Sequence, residues 1–80
     1  MKEKLIALGG HYDPNTERVY FDNKTIAAMI GEYDNIANDG LYFMRLFYDL
    51  PAKDFYYANY SPESGEYAEK AIKAIKEALK

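Results

Sequence analysis

Cysteine and tryptophan are absent from this 80-residue sequence, and histidine occurs once. Without cysteine the chain has no disulfide, no thiolate metal site and no cysteine nucleophile. His11 has an acid nearby in Asp13, but general acid-base chemistry also needs a pocket and a second polar group. The only serines, Ser61 and Ser64, lie where a helix is predicted to begin. The sequence therefore predicts a non-enzymatic protein with no catalytic residues.

Basic residues and long hydrophobic runs are also scarce. The net charge is −3, and residues 11–49 contain seven acids against three bases. This acidic middle argues against nucleic acid or an anionic membrane as the ligand. Near the N-terminus, apolar residues 5–8 are too few for a secretory signal or a membrane span. We expect a cytoplasmic protein with no membrane association.

Metal and cofactor motifs fail on their spacing. Residues 13–17 begin like a calcium-binding loop, but Arg18 and Lys24 stand where such a loop needs glycine and glutamate. Gly9 and Gly10 follow an apolar stretch, yet no phosphate-binding motif accompanies them. They predict a bulge or a close approach of the backbone. No cofactor and no metal ion are expected.

Turn residues and hydrophobic periodicity divide the chain into four segments. Turn residues at 13–16 separate two apolar stretches and predict a β-hairpin over residues 4–21. Apolar residues at helical spacing predict a helix over 24–34. Aromatic stretches on both sides of Pro51 predict a second hairpin over 41–60. A capped apolar stripe predicts a helix over 62–80.

This ββαββα order predicts a single α+β domain spanning residues 1–80. A sheet and two amphipathic helices each have one side to bury. The expected architecture is a four-stranded antiparallel sheet with both helices on one face.

The chain is rich in aromatic residues, with nine tyrosines and four phenylalanines. Eight of these thirteen lie between residues 41 and 60, where they occupy both faces of the predicted strands. The two helices can cover only one face of the sheet. We expect Leu46 and its even-numbered neighbours to face the core. The pairing of the hairpin then leaves either Phe55 and Tyr57 or Tyr56 and Tyr60 on the outer face.

Aromatic residues with an arginine among them are typical of the centres of protein interfaces. The predicted partner-binding residues are Phe43, Arg45, Phe47, Phe55, Tyr57 and Tyr60. The leading hypothesis is an inhibitor or regulator that covers a functional surface of a larger protein, as some viral or mobile-element counter-defence proteins do. Two alternatives stay open: a homodimer or larger homo-oligomer with a small-ligand pocket, and a single-strand nucleic-acid-binding sheet.

Overall fold

A computed structural model describes residues 1–31, 45–58 and 62–80, the side chains of 62–64 excepted. The described residues form three helices and four strands. These are helix α1 (Lys2–Ala7), strands β1 (His11–Asp13) and β2 (Arg18–Phe21), helix α2 (Asn23–Ile30), strands β3 (Arg45–Asp49) and β4 (Asp54–Ala58), and helix α3 (Pro62–Ala78).

The strands form one antiparallel sheet in the order β1-β2-β3-β4. The predicted α+β class and the succession of two hairpins, each followed by a helix, are confirmed. In the central pairing Arg18 lies opposite Asp49 and Phe21 opposite Leu46. The chain thus returns from α2 to place the second hairpin directly beside the first.

The first predicted hairpin begins too early. Residues 4–7 belong to α1, and the first strand starts only at His11. Leu5 is fully buried in the core, while Ile6 on the next helical position is exposed. Four apolar residues fit a strand as well as a helix, because periodicity alone does not separate a short strand from a single buried helical turn.

Gly9 and Gly10 turn the chain from α1 into β1. Gly9 has a φ of 103°, in the region that favours glycine. Gly10 lies so close to β2 that an added Cβ would fall 2.4 Å from Cγ1 of Val19. The expected close approach of the backbone is confirmed.

Helix α2 is shorter than the predicted 24–34. Asp22 caps its start, accepting a hydrogen bond from the backbone N–H of Thr25 at 2.8 Å. Gly31 ends it in a left-handed conformation with a φ of 72°. The rest of the predicted helix lies outside the described residues, as do positions 41–44 and 59–60 of the second hairpin.

The core lies between one face of the sheet and the helices. Leu5 comes from α1, Val19 and Phe21 from β2, and Leu46 and Tyr48 from β3. The helical contribution consists of small and branched residues: Ile26, Ala27, Ala68, Ala71 and Ile75. All described helices therefore pack on the same face, which leaves the opposite face as the candidate functional surface.

Candidate functional site: the outer face of the sheet

Strand register brings two rows of side chains together on the outer face. The first row runs across all four strands as His11, Tyr20, Phe47 and Tyr56. The second row, two residues away along each strand, contains Asp13, Arg18, Asp49 and Asp54. Because side chains alternate between faces, these residues share the side opposite the core. We call them the aromatic row and the charged row.

The aromatic row is a continuous set of ring contacts. The ring centroids of Tyr20 and Phe47 are 5.3 Å apart, and those of Phe47 and Tyr56 are 5.7 Å apart. Both separations fall in the range of favourable aromatic pairs. Tyr56 at the end of the row is 46% exposed, while Tyr20 and Phe47 are half-buried. The row therefore offers apolar surface whose rings are already held in place.

Arg18 joins the two rows. Its guanidinium carbon lies 4.4 Å from the ring centroid of Phe47, which is a cation–π contact. Its Nε donates to Oδ2 of Asp49 at 3.4 Å, and another guanidinium nitrogen donates to the Tyr20 hydroxyl at 3.5 Å. Asp49 also accepts the backbone N–H of Ala52 at 3.1 Å. Arg18 is thus fixed over the aromatic row rather than extended into solvent.

These contacts shift the pKa values of two groups at the centre of the face. The hydrogen bond that Arg18 donates lowers the pKa of Tyr20, because a hydrogen bond from a positively charged group favours the phenolate. The same bond, with a further contribution from Asp49, raises the pKa of Arg18. Arg18 stays charged at every physiological pH, so the charged row keeps a fixed cation among its acids.

Arg45 and Phe47 lie on the outer face, as predicted. Arg45 is exposed, and its side chain makes no hydrogen bond or ion pair with the other described residues. The expectation that Leu46 faces the core is also confirmed. Phe43 and Tyr60 lie outside the described residues.

Phe55 and Tyr57 do not lie on the outer face, which corrects the placement that the sequence allowed for them. Phe55 pairs with Tyr48 across the hairpin, with centroids 4.8 Å apart in an edge-to-face contact on the core side. Tyr57 packs against the core opposite Leu46 and donates its hydroxyl to Oε1 of Glu69 on α3 at 2.7 Å. The register of the hairpin decides this, because Asp49 pairs with Asp54 across a four-residue turn.

Sequence reasoning missed Tyr20 and Arg18 as members of this face. Tyr56 was one of the two alternatives for the second hairpin, and the length of the turn at 50–53 was the signal that favoured it. Tyr20 and Arg18 belong to the first hairpin. Their place beside Phe47 depends on the pairing of β2 with β3, which joins residues far apart in sequence.

His11 lies beside the acid that caps α2. Its side chain is exposed, and Nε2 lies 3.5 Å from Oδ2 of Asp22 rather than near Asp13. Asp13 instead accepts the backbone N–H of Asn15 within the turn. Within residues 1–31, 45–58 and 62–80, no group of three or more acidic or histidine side chains could hold a metal ion.

A groove of about 610 Å³ lies on the helical side of the molecule, between the end of α1 and α2. Its apolar lining consists of Ala7, Leu8, Ala28 and Met29, and its polar members are Lys24 and Thr25.

None of the helices in the described part of the chain is long and apolar enough to cross a membrane.

Comparison with known proteins adds no family to this description. No protein-family model matches the chain, and no curated protein or solved structure is significantly similar to it.

Proposed function

We propose that this protein is a non-enzymatic binding domain that presents the outer face of its sheet to another protein. The observation that supports this most is the aromatic row, in which Tyr20, Phe47 and Tyr56 form a continuous ring surface on the side away from the helices. Aromatic residues held rigid before binding lose little conformational entropy on association, which favours affinity.

The chemistry of the face suits a protein partner better than a nucleic acid. Tyr, Phe and Arg are the residues enriched at the centres of protein interfaces, and Arg45 is exposed beside the row. The charged row carries three carboxylates, at Asp13, Asp49 and Asp54, against the single cation of Arg18. These acids repel phosphate and attract a basic surface. The partner we propose is a larger protein whose basic functional surface this domain covers, as an inhibitor or regulator.

The experiment that tests this proposal compares the outer face with the helical surface. A photo-crosslinking amino acid replaces Tyr56 in one variant and Lys73, an exposed residue of α3, in the other. In cells of the natural host we expect a specific adduct with a protein other than this chain at position 56 and none at position 73. The crosslinked protein is then purified, and its affinity for the chain is measured by calorimetry.

Two substitutions locate the binding energy. Phe47→Ala and Tyr56→Ala should each weaken binding of the purified partner by about thirtyfold or more, the size expected for a residue at the centre of an interface. Lys73→Ala serves as the matched control and should change the affinity by less than about twofold. Adducts at position 73 alone, or full affinity in both aromatic variants with an intact fold, would refute the proposal.

A further inference from the structure

Strand β4 lies at an edge of the sheet and carries few of the features that keep edge strands from pairing. Within the described part of the chain it pairs with β3 on one side only. It spans five residues, Asp54–Ala58, with no lysine and no proline, and its one charge is at its first position. Strand β1 at the opposite edge has only three residues. Natural sheets usually protect an edge with short strands, lysine, proline or a bulge.

The sequence of β4 is compatible with antiparallel pairing to itself. Tyr56 is the middle residue of β4. When a two-fold axis passes between Tyr56 of one copy and Tyr56 of the second, Phe55 lies opposite Tyr57 of the second copy, and Asp54 lies opposite its Ala58. Aromatic residues thus face aromatic residues, and no two like charges are directly opposite. The pairing adds at least about four main-chain hydrogen bonds. It also keeps the outer faces of both copies on the same side.

Charge complementarity selects this register. Arg45 pairs with Ala58 across β3 and β4, and it makes no ion pair with the described residues. Asp54 accepts a hydrogen bond from the backbone N–H of Phe55, and no described cation lies within ion-pair distance of it. In the two-fold arrangement Asp54 of the second copy lies just beyond Ala58. The arginine side chain can reach that carboxylate across the small alanine, and the contact occurs twice.

No described strand occupies the second edge of β4. Within residues 1–31, 45–58 and 62–80 the strand pairs with β3 alone. Helices α2 and α3 contact each other on the core face, and α3 contacts β4. Among these residues, the main-chain groups on the other side of β4 take part in no strand pairing.

We propose that β4 pairs antiparallel with β4 of a second copy of this chain about a two-fold axis at Tyr56, which joins two four-stranded sheets into one. The aromatic rows of the two copies then meet at Tyr56 and form a single longer row on the outer face. This dimer uses the edge of the sheet and leaves its outer face open. The two proposals share Tyr56, but Phe47 lies one strand in from the paired edge, so a substitution at Phe47 tests partner binding separately from the dimer.

The absence of cysteine allows a direct test of the register, because every disulfide formed by a single-cysteine variant joins two copies. Tyr56→Cys places the two sulfur-bearing residues directly opposite, with Cα atoms about 4.5–5.5 Å apart, a distance that a disulfide spans. Asp54→Cys, on the same strand and face, places them about 14 Å apart and is the matched control. We expect covalent dimer from the first variant under mild oxidation and only background from the second.

A mixture of Asp54→Cys with Ala58→Cys should form the mixed dimer, while each variant alone should not. This pattern identifies the register, since residue 54 faces residue 58 only when the axis passes through position 56. Equal crosslinking by Tyr56→Cys and Asp54→Cys, or homodimers of the Ala58→Cys variant, would overturn the proposal.

Substitutions at Ala58 test the same arrangement without cysteine. Ala58→Asp places an acid beside Arg45 within one copy but opposite Asp54 of the other. It should weaken dimerisation about tenfold, measured by sedimentation from roughly 1 µM to 1 mM, without loss of the fold by circular dichroism. Ala58→Lys should strengthen it. A wild-type chain that stays monomeric to about 1 mM refutes the dimer but leaves the partner-binding proposal intact. If the chain dimerises but its Phe47→Ala variant keeps full affinity for the partner, the partner-binding proposal is refuted and the dimer stands.

Discussion

Gly10 provides the most direct test of how α1 packs against the sheet. In Gly10→Ala the new Cβ would lie 2.4 Å from Cγ1 of Val19 and 2.9 Å from the carbonyl oxygen of Leu5. Both neighbours are fully buried, so neither can turn toward solvent. The Leu5 oxygen is further held because it accepts the backbone N–H of Gly10 at 3.0 Å.

The expected cost follows from these two contacts. Overpacking a close-packed core costs about 1–3 kcal/mol, and a collision with backbone places Gly10→Ala at the upper end, at about 3 kcal/mol. A domain of this length has a total stability of about 4–12 kcal/mol. The substitution should therefore remove a quarter or more of the free energy of unfolding.

Urea unfolding followed by circular dichroism measures this effect, and a second substitution isolates its cause. Val19→Ala alone should cost about 2 kcal/mol through the loss of two buried methyl groups. In the double variant the smaller side chain at position 19 accommodates the new methyl group. The combined loss should then be smaller than the sum of the single losses by about 1–2 kcal/mol.

Gly31→Ala is the control for the effect of removing a glycine in general. An added Cβ at Gly31 meets no atom within 4 Å, so the cost there is only that of the left-handed backbone, about 1–2 kcal/mol. A Gly10→Ala variant within about 0.5 kcal/mol of wild type, or strict additivity with Val19→Ala, would show that α1 does not pack as described.

Three further predictions concern the two faces of the sheet, a turn and a helix cap. Leu46→Ala should lower the free energy of unfolding by about 3–5 kcal/mol, whereas Phe47→Ala, which removes ring contacts on the outer face, should cost about 1–2 kcal/mol in the same urea titration. Lys53→Gly should raise it by about 0.5–1 kcal/mol, because Lys53 has a φ of 56° that glycine adopts without strain; a loss of stability would contradict this. The hydrogen bond from the Thr25 backbone lowers the pKa of Asp22, so the stability it contributes is present above its unfolded pKa and is lost as the pH falls through the folded pKa. Asp22→Asn keeps the cap, and below about pH 4 it should show a smaller decline of the thermal midpoint than wild type; equal declines would refute the assignment.

Local signals were sufficient for most of the elements. The hairpin turns, the cap of α2 and the stripe of α3 each depend on residues within a few positions of one another. The exception is α1, where four apolar residues fit either a strand or a helical turn, and only the burial of Leu5 under β2 distinguishes them.

The candidate site was less predictable because it is assembled from two hairpins. Alternation along β3 correctly separated Leu46 from Phe47, since that pattern is internal to one strand. The neighbours of Phe47 depend on the register of β2 against β3 and of β3 against β4. Arg18 and Tyr20 come from a segment more than twenty residues away, and no local pattern in the sequence indicates that pairing.

The separation of these two hairpins also bears on how the chain folds. Each hairpin closes a short turn, whereas the β2–β3 pairing joins Arg18 to Asp49 and must bring together ends that are far apart along the chain. Pairing strands this far apart in sequence costs loop-closure entropy before any contact between them is gained, so it is expected to follow the local hairpins. Substitutions that weaken the contact between Tyr20 and Phe47 should therefore accelerate unfolding and leave the refolding rate nearly unchanged, if the hairpins form first and join late. Stopped-flow measurements would then identify the pairing of β2 with β3 as the last part of the sheet to assemble.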